Sequence, residues 1–226
     1  WNLFYTTKEK GLKKNLQNKL GEPPVLASDV DLEANTKLLD NYLENKGFFN
    51  AGVTADSTWK GKKASVTYTA AAGSQYKIRS VVFDEDSSSQ LTAAIREISE
   101  TTLLKPGEPY DLDLIKGERL RIDALLKEKG FYYFSPEHLL VQVDSTLSTN
   151  EVDMRVVVKP DVPAVARQIY TINDVYIYSN FSLNTARADT NRTQGVFHEG
   201  YYVIDRRSRF KPKLFSRTML FQPGDV

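Results

Sequence analysis

The sequence contains no cysteine and only two histidines in 226 residues, and no apolar run approaches the length of a membrane span. Without cysteine the chain forms no disulfide and no zinc–thiolate site, and it has no thiol nucleophile. A bilayer-spanning helix needs about 20 apolar residues. The chain begins at Trp1 rather than at an initiator methionine, so we expect any signal or anchor to lie outside this segment. Because there is no cysteine, the sequence is compatible with an oxidising or a reducing compartment.

Net charge is also nearly absent, because 30 basic residues oppose 29 acidic ones. A charge of +1 removes the electrostatic argument for binding nucleic acid or another polyanion. The hydrophobic fraction of 41% is enough to build buried cores. Composition therefore predicts folded domains with no nucleic-acid partner.

Residue patterns that carry catalysis are scarce. His138 and His198 lie far apart and have neither metal-pair nor nucleophile–base spacing. The acids Asp29, Asp31 and Glu33 alternate at a helix start, where carboxylates cap a helix. No glycine-rich phosphate loop or serine elbow occurs. We predict no catalytic residue, no cofactor and no metal, and hence no enzyme. An enzyme with an unrecognised carboxylate site is the alternative from another class.

The chain repeats itself. The segment from Asp31 to Phe49 returns from Leu114 to Tyr132, with Gly47 matching Gly130 at an offset of 83 residues. That spacing is too long for a solenoid repeat and suits a small domain. The turn Gly21-Glu22-Pro23 returns as Gly107-Glu108-Pro109, and Pro106-Gly107-Glu108 returns as Pro223-Gly224-Asp225. Three copies of one turn predict three units, at residues 1–74, 75–160 and 161–226.

The middle unit shows the predicted order of elements. A strand at Tyr76 to Phe83 precedes a helix with the apolar stripe Leu91, Ile95 and Ile98. A second helix carries the stripe Ile115, Ile122, Leu125 and Leu126, and its polar residues are expected to face solvent: Lys116, Glu118, Arg119, Arg121, Asp123, Lys127 and Glu128. Gly130 then suits a left-handed helix end. Two strands follow, at Leu139 to Val143 and at Val152 to Val158.

The other two units are variations on this order. The first has the helix stripe Leu39, Tyr42 and Leu43 before Gly47, and its opening strand is missing or reduced to a stub at Asn2 to Tyr5. The third opens at Gln168 to Tyr178, carries an insertion with a possible hairpin near Gly195 to Ile204, and stops before its second helix. The predicted fold class is α+β: tandem β-α-α-β-β units, each a three-stranded mixed sheet with two helices on one face.

This order of motifs resembles the POTRA (polypeptide-transport-associated) domain. The marks in this chain are the turn Pro106-Gly107-Glu108, the pairs Gly47-Phe48 and Gly130-Phe131, and the strands Tyr76-x-Ile78-x-x-Val81 and Tyr170-x-Ile172-x-x-Val175. The strings Gly21 to Leu26, Phe210 to Phe215 and Phe221 to Asp225 resemble the TamA-like branch of Bacteroidetes, called TamL. The marks cover nearly the whole chain.

The resemblance to the BamA/TamA superfamily implies a periplasmic location ahead of an outer-membrane β-barrel, which this sequence does not include. It implies a scaffold that receives unfolded outer-membrane or secreted client polypeptides and docks other assembly proteins, with only peripheral membrane contact. A two-partner secretion exporter, or a structural repeat that binds no client, is the alternative.

Two surfaces are candidate contact sites. An extended client can add to a sheet edge through main-chain hydrogen bonds, so we expect binding along the strands that include Leu139, Leu140, Val141, Gln142, Val143 and Asp144 in the middle unit and Val53, Ala55, Ser57 and Trp59 in the first. A basic run could face lipid headgroups or an acidic partner: Arg206, Arg207, Arg209, Lys211 and Lys213. The alternatives are that these are ordinary strands covered by the neighbouring unit, and that the basic run is the solvated flank of a hairpin.

Overall fold

The structure is a computed structural model that describes residues 9–20, 26–61, 63–84, 89–146, 150–179, 181, 195–205 and 207–226. It separates into two compact units. One comprises Trp1–Lys77 with Pro109–Leu112, and the other comprises Ile78–Glu108 with Asp113–Val226. The division into modules 1–74, 75–160 and 161–226 stays a prediction. The proposed strand stub at Asn2 to Tyr5 and the turn at Gly21 to Pro23 lie outside the described residues.

The first compact unit consists of helices α1 (Leu12–Leu20) and α2 (Leu32–Asn45) and an antiparallel hairpin of β1 (Gly52–Lys60) and β2 (Lys63–Ala71). Helix α2 begins where the Asp31 carboxylate accepts a hydrogen bond from the Ala34 N–H at 2.9 Å, which confirms the predicted cap. The predicted stripe is partly wrong, because Tyr42 is 57% exposed while Leu39 and Leu43 are half-buried. No residue of α2 is fully buried, so this unit has a small core.

The second compact unit holds most of the buried residues. Strands β3 (Lys77–Phe83), β4 (Leu139–Asp144) and β5 (Glu151–Val158) form a three-stranded sheet in the order β3-β5-β4, with helices α3 (Gln90–Ile98) and α4 (Leu112–Glu128) between β3 and β4 in sequence. The side chains with less than 2% exposure include Ile78, Leu91, Ile122, Leu126, Phe131, Phe134, Leu139 and Val156. The apolar stripes predicted for both helices supply this core, and the α+β fold class is confirmed.

A second three-stranded sheet lies in the same unit. Strand β6 (Val175–Tyr178) pairs in parallel with β8 (Tyr201–Ile204), which pairs antiparallel with β7 (Val196–His198), followed by the short helix α5 (Lys213–Thr218). The order β6-β8-β7 repeats the order β3-β5-β4. The hairpin predicted near Gly195 to Ile204 is therefore confirmed.

The opening strand of this last region is shorter than predicted. Residues Ala164–Arg167 form a 3₁₀ helix, and regular pairing begins only at Val175. The backbone of Ile172 bonds elsewhere: its N–H donates to the Asp225 carbonyl at 2.8 Å, and its carbonyl accepts from the Gly224 N–H at 2.7 Å. The segment before Val175 is thus held by a turn rather than by a neighbouring strand.

The sequence repeat extends to individual hydrogen bonds. The Gly47 carbonyl accepts from the Tyr76 N–H at 2.8 Å, and the Gly130 carbonyl accepts from the Tyr170 N–H at the same distance. Two residues further on, the Ile78 carbonyl accepts from the Gly107 N–H at 2.7 Å, as Ile172 does from Gly224. Gly47 and Gly130 have φ angles of +84° and +91°, so each matching pair shares a left-handed helix end and a backbone contact.

Candidate functional site

Strand β4 forms one edge of the sheet in the second compact unit. The sheet order places β5 on one side of β4, and no other strand among the described residues pairs with its outer side. The opposite edge strand, β3, is partly covered, because Ile78 exchanges backbone hydrogen bonds with Gly107 and Glu108. Of the two edges, β4 is therefore the more accessible to an added strand.

The register identifies which backbone groups of β4 point outward. The Lys159 N–H donates to the His138 carbonyl at 2.9 Å, which makes these two residues a hydrogen-bonded pair at the end of the ladder. Hydrogen-bonded and non-hydrogen-bonded pairs alternate along an antiparallel ladder. Counting in twos from His138, the backbone groups of Leu140, Gln142 and Asp144 therefore bond to β5. The N–H and C=O groups of Leu139, Val141 and Val143 then point away from the sheet.

An independent bond supports this assignment. The carbonyl of Val156, the register partner of Val141, accepts from the Asp84 N–H at 3.0 Å on the side of β5 away from β4. Three outward N–H and C=O sets thus recur at every second residue, about 6.8 Å apart. Of the six residues predicted along β4, three direct their backbone N–H and C=O groups outward and three use these groups to bond to β5.

Side chains of β4 separate cleanly by face. Leu139 is buried and Val141 and Val143 are half-buried, while Leu140 and Gln142 are exposed on the open face of the sheet. A shallow groove at the end of this sheet is lined by Ser80, Val82, Gln142, Val143, Asp144, Asp153, Met154 and Arg155. A strand added to β4 would lie beside the half-buried valines on one face and beside the exposed Leu140 and Gln142 on the other.

Negative charge marks the end of β4. Asp144 lies directly opposite Asp153, which binds the guanidinium of Arg79 and the hydroxyl of Ser80. The hydrogen bond from Arg79, followed by that from Ser80, lowers the pKa of Asp153 to about 2. Thr146 donates from its hydroxyl and its N–H to Asp144 and lowers the pKa of that carboxyl as well. Both acids therefore stay ionised at neutral pH, and charged side chains at this end of β4 disfavour the pairing of an added strand beyond it.

The edge predicted in the first compact unit is less open. The hairpin closes at the pair Lys60 and Lys63, so alternation points the backbone groups of Val53, Ala55, Ser57 and Trp59 outward. The Val53 N–H already donates to the Asp40 carboxylate at 2.7 Å, and the Ser57 N–H donates to Asp56 at 2.9 Å. Two of the four outward donors thus have acceptors, which leaves β4 as the stronger candidate.

The basic run lies around α5. Arg207, Arg209, Lys211 and Lys213 are all exposed, and Arg206 lies outside the described residues. The carboxylate of Asp205 accepts from the Arg207 N–H at 3.2 Å and from the Phe210 N–H at 2.8 Å, so it holds the turn that presents these side chains.

Two acids of α4 were predicted to face solvent, and that prediction is wrong. Glu118 has an exposure of 0% and Asp123 is also buried. Glu118 accepts from both Nε and Nη2 of Arg121, at 2.8 and 2.7 Å, and from the hydroxyl of Thr102 and the N–H of Leu103. Helical periodicity contained the signal, because Glu118 lies three residues after Ile115 and four before Ile122, on the apolar stripe.

The ionised form of Glu118 is stable in this setting. Burial raises the pKa of the Glu118 carboxyl, but the hydrogen bonds from Arg121, Leu103 and Thr102 outweigh it and hold that pKa below its ordinary value of 4.5. Arg121 also donates to the Ile98 carbonyl at 3.1 Å. The pair ties α4 to the end of α3, and its role is structural because every oxygen is occupied.

Within the part of the chain that the structure describes, no cluster of three or more histidine, aspartate or glutamate side chains could hold a metal ion. In the same residues no helix combines the length and apolarity needed to cross a bilayer.

No protein-family model matches the chain, and no curated protein does. Among solved structures, the chain is similar to POTRA domains 3–5 of Haemophilus influenzae BamA, with 18% identity, a TM-score of 0.40, and coverage of 76% of this chain and 63% of that one. It is also similar to the N-terminal domain of Omp85 from Thermosynechococcus elongatus, with 14% identity, a TM-score of 0.31, and coverage of 86% and 65%. A third match, BamA from Haemophilus ducreyi lacking POTRA domains 1–3, has 14% identity, a TM-score of 0.36, and coverage of 67% and 27%. The chain spans less than two thirds of each of these structures.

Proposed function

We propose that this chain is a tandem POTRA-like region that acts in the periplasm as the scaffold of an outer-membrane protein assembly or translocation factor. It receives unfolded client polypeptides by strand addition to β4 and docks other assembly proteins. The observation that carries the proposal is the row of outward N–H and C=O groups at Leu139, Val141 and Val143, on an edge with which no described strand pairs. Backbone recognition suits clients that share strand character and little sequence.

The repeat supports the assignment of the scaffold. Both three-stranded sheets have the same strand order, and the Gly47–Tyr76 and Gly130–Tyr170 contacts match in atoms and distance. The motif Tyr76-x-Ile78, which carries part of the POTRA resemblance, bonds to Gly47 through Tyr76. Through Ile78 it bonds to the turn Pro106-Gly107-Glu108, which carries another part. The finer assignment to the TamL branch of the BamA/TamA superfamily rests on Phe210 to Phe215 and Phe221 to Asp225.

Client binding at this edge should be weak. Six backbone hydrogen bonds at about 1 kcal/mol each are offset by an association cost of at least about 4 kcal/mol. Backbone pairing alone therefore leaves at most about 2 kcal/mol, which corresponds to a dissociation constant of about 30 mM or weaker. Two apolar client side chains packed on Val141 and Val143 improve it to about 0.1–1 mM. Such affinity favours clients with alternating apolar residues and permits their release.

A peptide titration tests the proposal. A seven-residue peptide with alternating valine and threonine is added to ¹⁵N-labelled protein, and the amide signals of Leu139, Val141 and Val143 should shift or broaden. The same peptide N-methylated at alternate residues cannot complete the backbone ladder, so it should leave these signals unchanged.

Proline variants provide the matched control. Val141→Pro removes an outward N–H without breaking a bond to β5, so the fold should survive while peptide binding is lost. Ala55→Pro makes the same change on the edge of β1 and should leave binding at β4 intact. Unchanged affinity in Val141→Pro, or equal binding of the N-methylated peptide, would refute strand addition at β4.

A further inference from the structure

The segment Arg207–Phe221, which we term the basic–apolar segment, combines positive charge with exposed apolar side chains. It contains no acidic residue. Its five cations are all exposed: Arg207, Arg209, Lys211, Lys213 and Arg217. Four large apolar side chains between and after them are also exposed: Phe210, Leu214, Leu220 and Phe221.

The apolar side chains of this segment are unusual for a solvated surface. Leu220 is 99% exposed, and it follows a helix, α5, that exposes Leu214 as well. Single exposed apolar residues are common, but four large ones within 12 residues are a concentration typical of interaction sites. Aromatic and aliphatic side chains interleaved with Lys and Arg are typical of surfaces that insert at the headgroup boundary of a membrane.

The acids near the segment leave a net positive charge. Asp205 accepts backbone hydrogen bonds at the start of the segment. Glu199 has its pKa lowered by a hydrogen bond from Ser216, against the effect of burial, with further contributions from His198, Lys213 and Arg217. Asp225 lies just beyond the segment, where its carboxylate accepts from the Gln222 N–H. Five cations against these three carboxylates leave a charge of +2, although the whole chain carries only +1.

We propose that the basic–apolar segment binds the surface of a membrane containing anionic phospholipid. The cations would lie at the phosphate level, and Phe210, Leu214, Leu220 and Phe221 would enter the boundary between headgroups and acyl chains. The charge selects an anionic surface, and the exposed apolar side chains select a lipid surface over a purely polar acidic partner. Each net cation strengthens partition about fivefold, so +2 corresponds to about 25-fold.

Vesicle co-sedimentation of the full chain tests this inference. With 30% phosphatidylglycerol in phosphatidylcholine, the chain should sediment with the vesicles, and with pure phosphatidylcholine it should stay in solution. Raising the salt concentration to 0.5 M should weaken binding because the charges are exposed. Equal binding to both kinds of vesicle would overturn the proposal, as would no binding to either.

Substitutions separate the two contributions. The double variant Arg207→Glu, Lys211→Glu changes the charge by four units and should lower partition more than 100-fold, while Leu220→Ser should lower it about tenfold. Lys105→Glu and Leu120→Ser alter exposed residues elsewhere in the same compact unit and should bind as the parent chain does. If the charge reversals leave vesicle binding intact, this segment is not what binds the membrane. If the chain binds polyglutamate and not vesicles, the segment docks an acidic partner instead of lipid. Either result overturns the proposal.

Discussion

Replacing Gly130 by alanine measures how tightly the repeated backbone contact is packed. A Cβ atom at Gly130 would lie 2.7 Å from Cγ2 of Ile169 and 3.0 Å from the Tyr170 carbonyl oxygen. Gly107, in the same compact unit, has nearly the same φ angle, +90° against +91°, but a Cβ atom there would meet nothing within 4 Å. The two glycines therefore differ in crowding and not in φ.

The expected free energies of unfolding follow from this difference. A left-handed φ costs an L-residue about 1–2 kcal/mol, which applies to both variants. Overpacking adds about 1–3 kcal/mol at Gly130 alone. We expect Gly107→Ala to lose about 1–2 kcal/mol and Gly130→Ala about 2–5 kcal/mol.

Urea unfolding followed by methionine methyl NMR reports on the relevant unit. Met154 and Met219 both belong to the second compact unit, whereas both tryptophans belong to the first. In an Ile169→Ala background, Gly130→Ala should cost less, because the nearest contact has been removed. Equal destabilisation by Gly107→Ala and Gly130→Ala would refute the reasoning, and so would an unchanged cost in the Ile169→Ala background.

Two further changes test interactions that position the elements. Glu118→Ala should lower the free energy of unfolding of the second unit by about 3–5 kcal/mol, because it leaves the charge of Arg121 without its buried partner. The folded pKa of Glu118 lies below 4.5, so the stabilisation from its ionised carboxyl is present above pH 4.5 and is lost as the pH falls through the folded pKa. In urea titrations at a series of acidic pH values, Glu118→Gln should therefore lose less stability on acidification than the parent chain does. An equal loss in both proteins would contradict this assignment. Asp40→Ala removes the acceptor of the Val53 N–H, so exchange of that amide measured by NMR should accelerate, while Asp56→Ala should leave it unchanged; equal protection in both variants would show that another group shields Val53.

Local periodicity sufficed to predict most elements of the middle region. The spacing of Leu91, Ile95 and Ile98 places them on one helical face, and the structure buries that face. Gly47 and Gly130 adopt the left-handed conformation that their place after a helix predicts. Such features depend on residues within a few turns of one another, which a single sequence displays directly.

Features set by tertiary pairing were harder to predict. Glu118 was assigned to solvent from its charge, but its partners Thr102 and Leu103 come from a loop whose position the helical pattern does not specify. The greater openness of β4 over β3 depends on the sheet order and on the turn that covers Ile78. Alternating hydrophobicity identifies a strand but does not say which neighbour it has, so the six candidate residues of β4 could not be divided into outward and inward groups.

The segment Pro109–Leu112 belongs to the first compact unit although the residues on either side of it belong to the second. Within that first unit the Tyr110 N–H donates to the Tyr76 carbonyl at 2.9 Å, and Tyr76 in turn donates to Gly47. A protease that nicks the chain near Gly73 would therefore cut between residues that these bonds join, and the piece before the nick would lose the contacts that Tyr76 and Tyr110 make within the first unit. Anyone trimming the polypeptide for expression must keep this returning loop with the partners it holds.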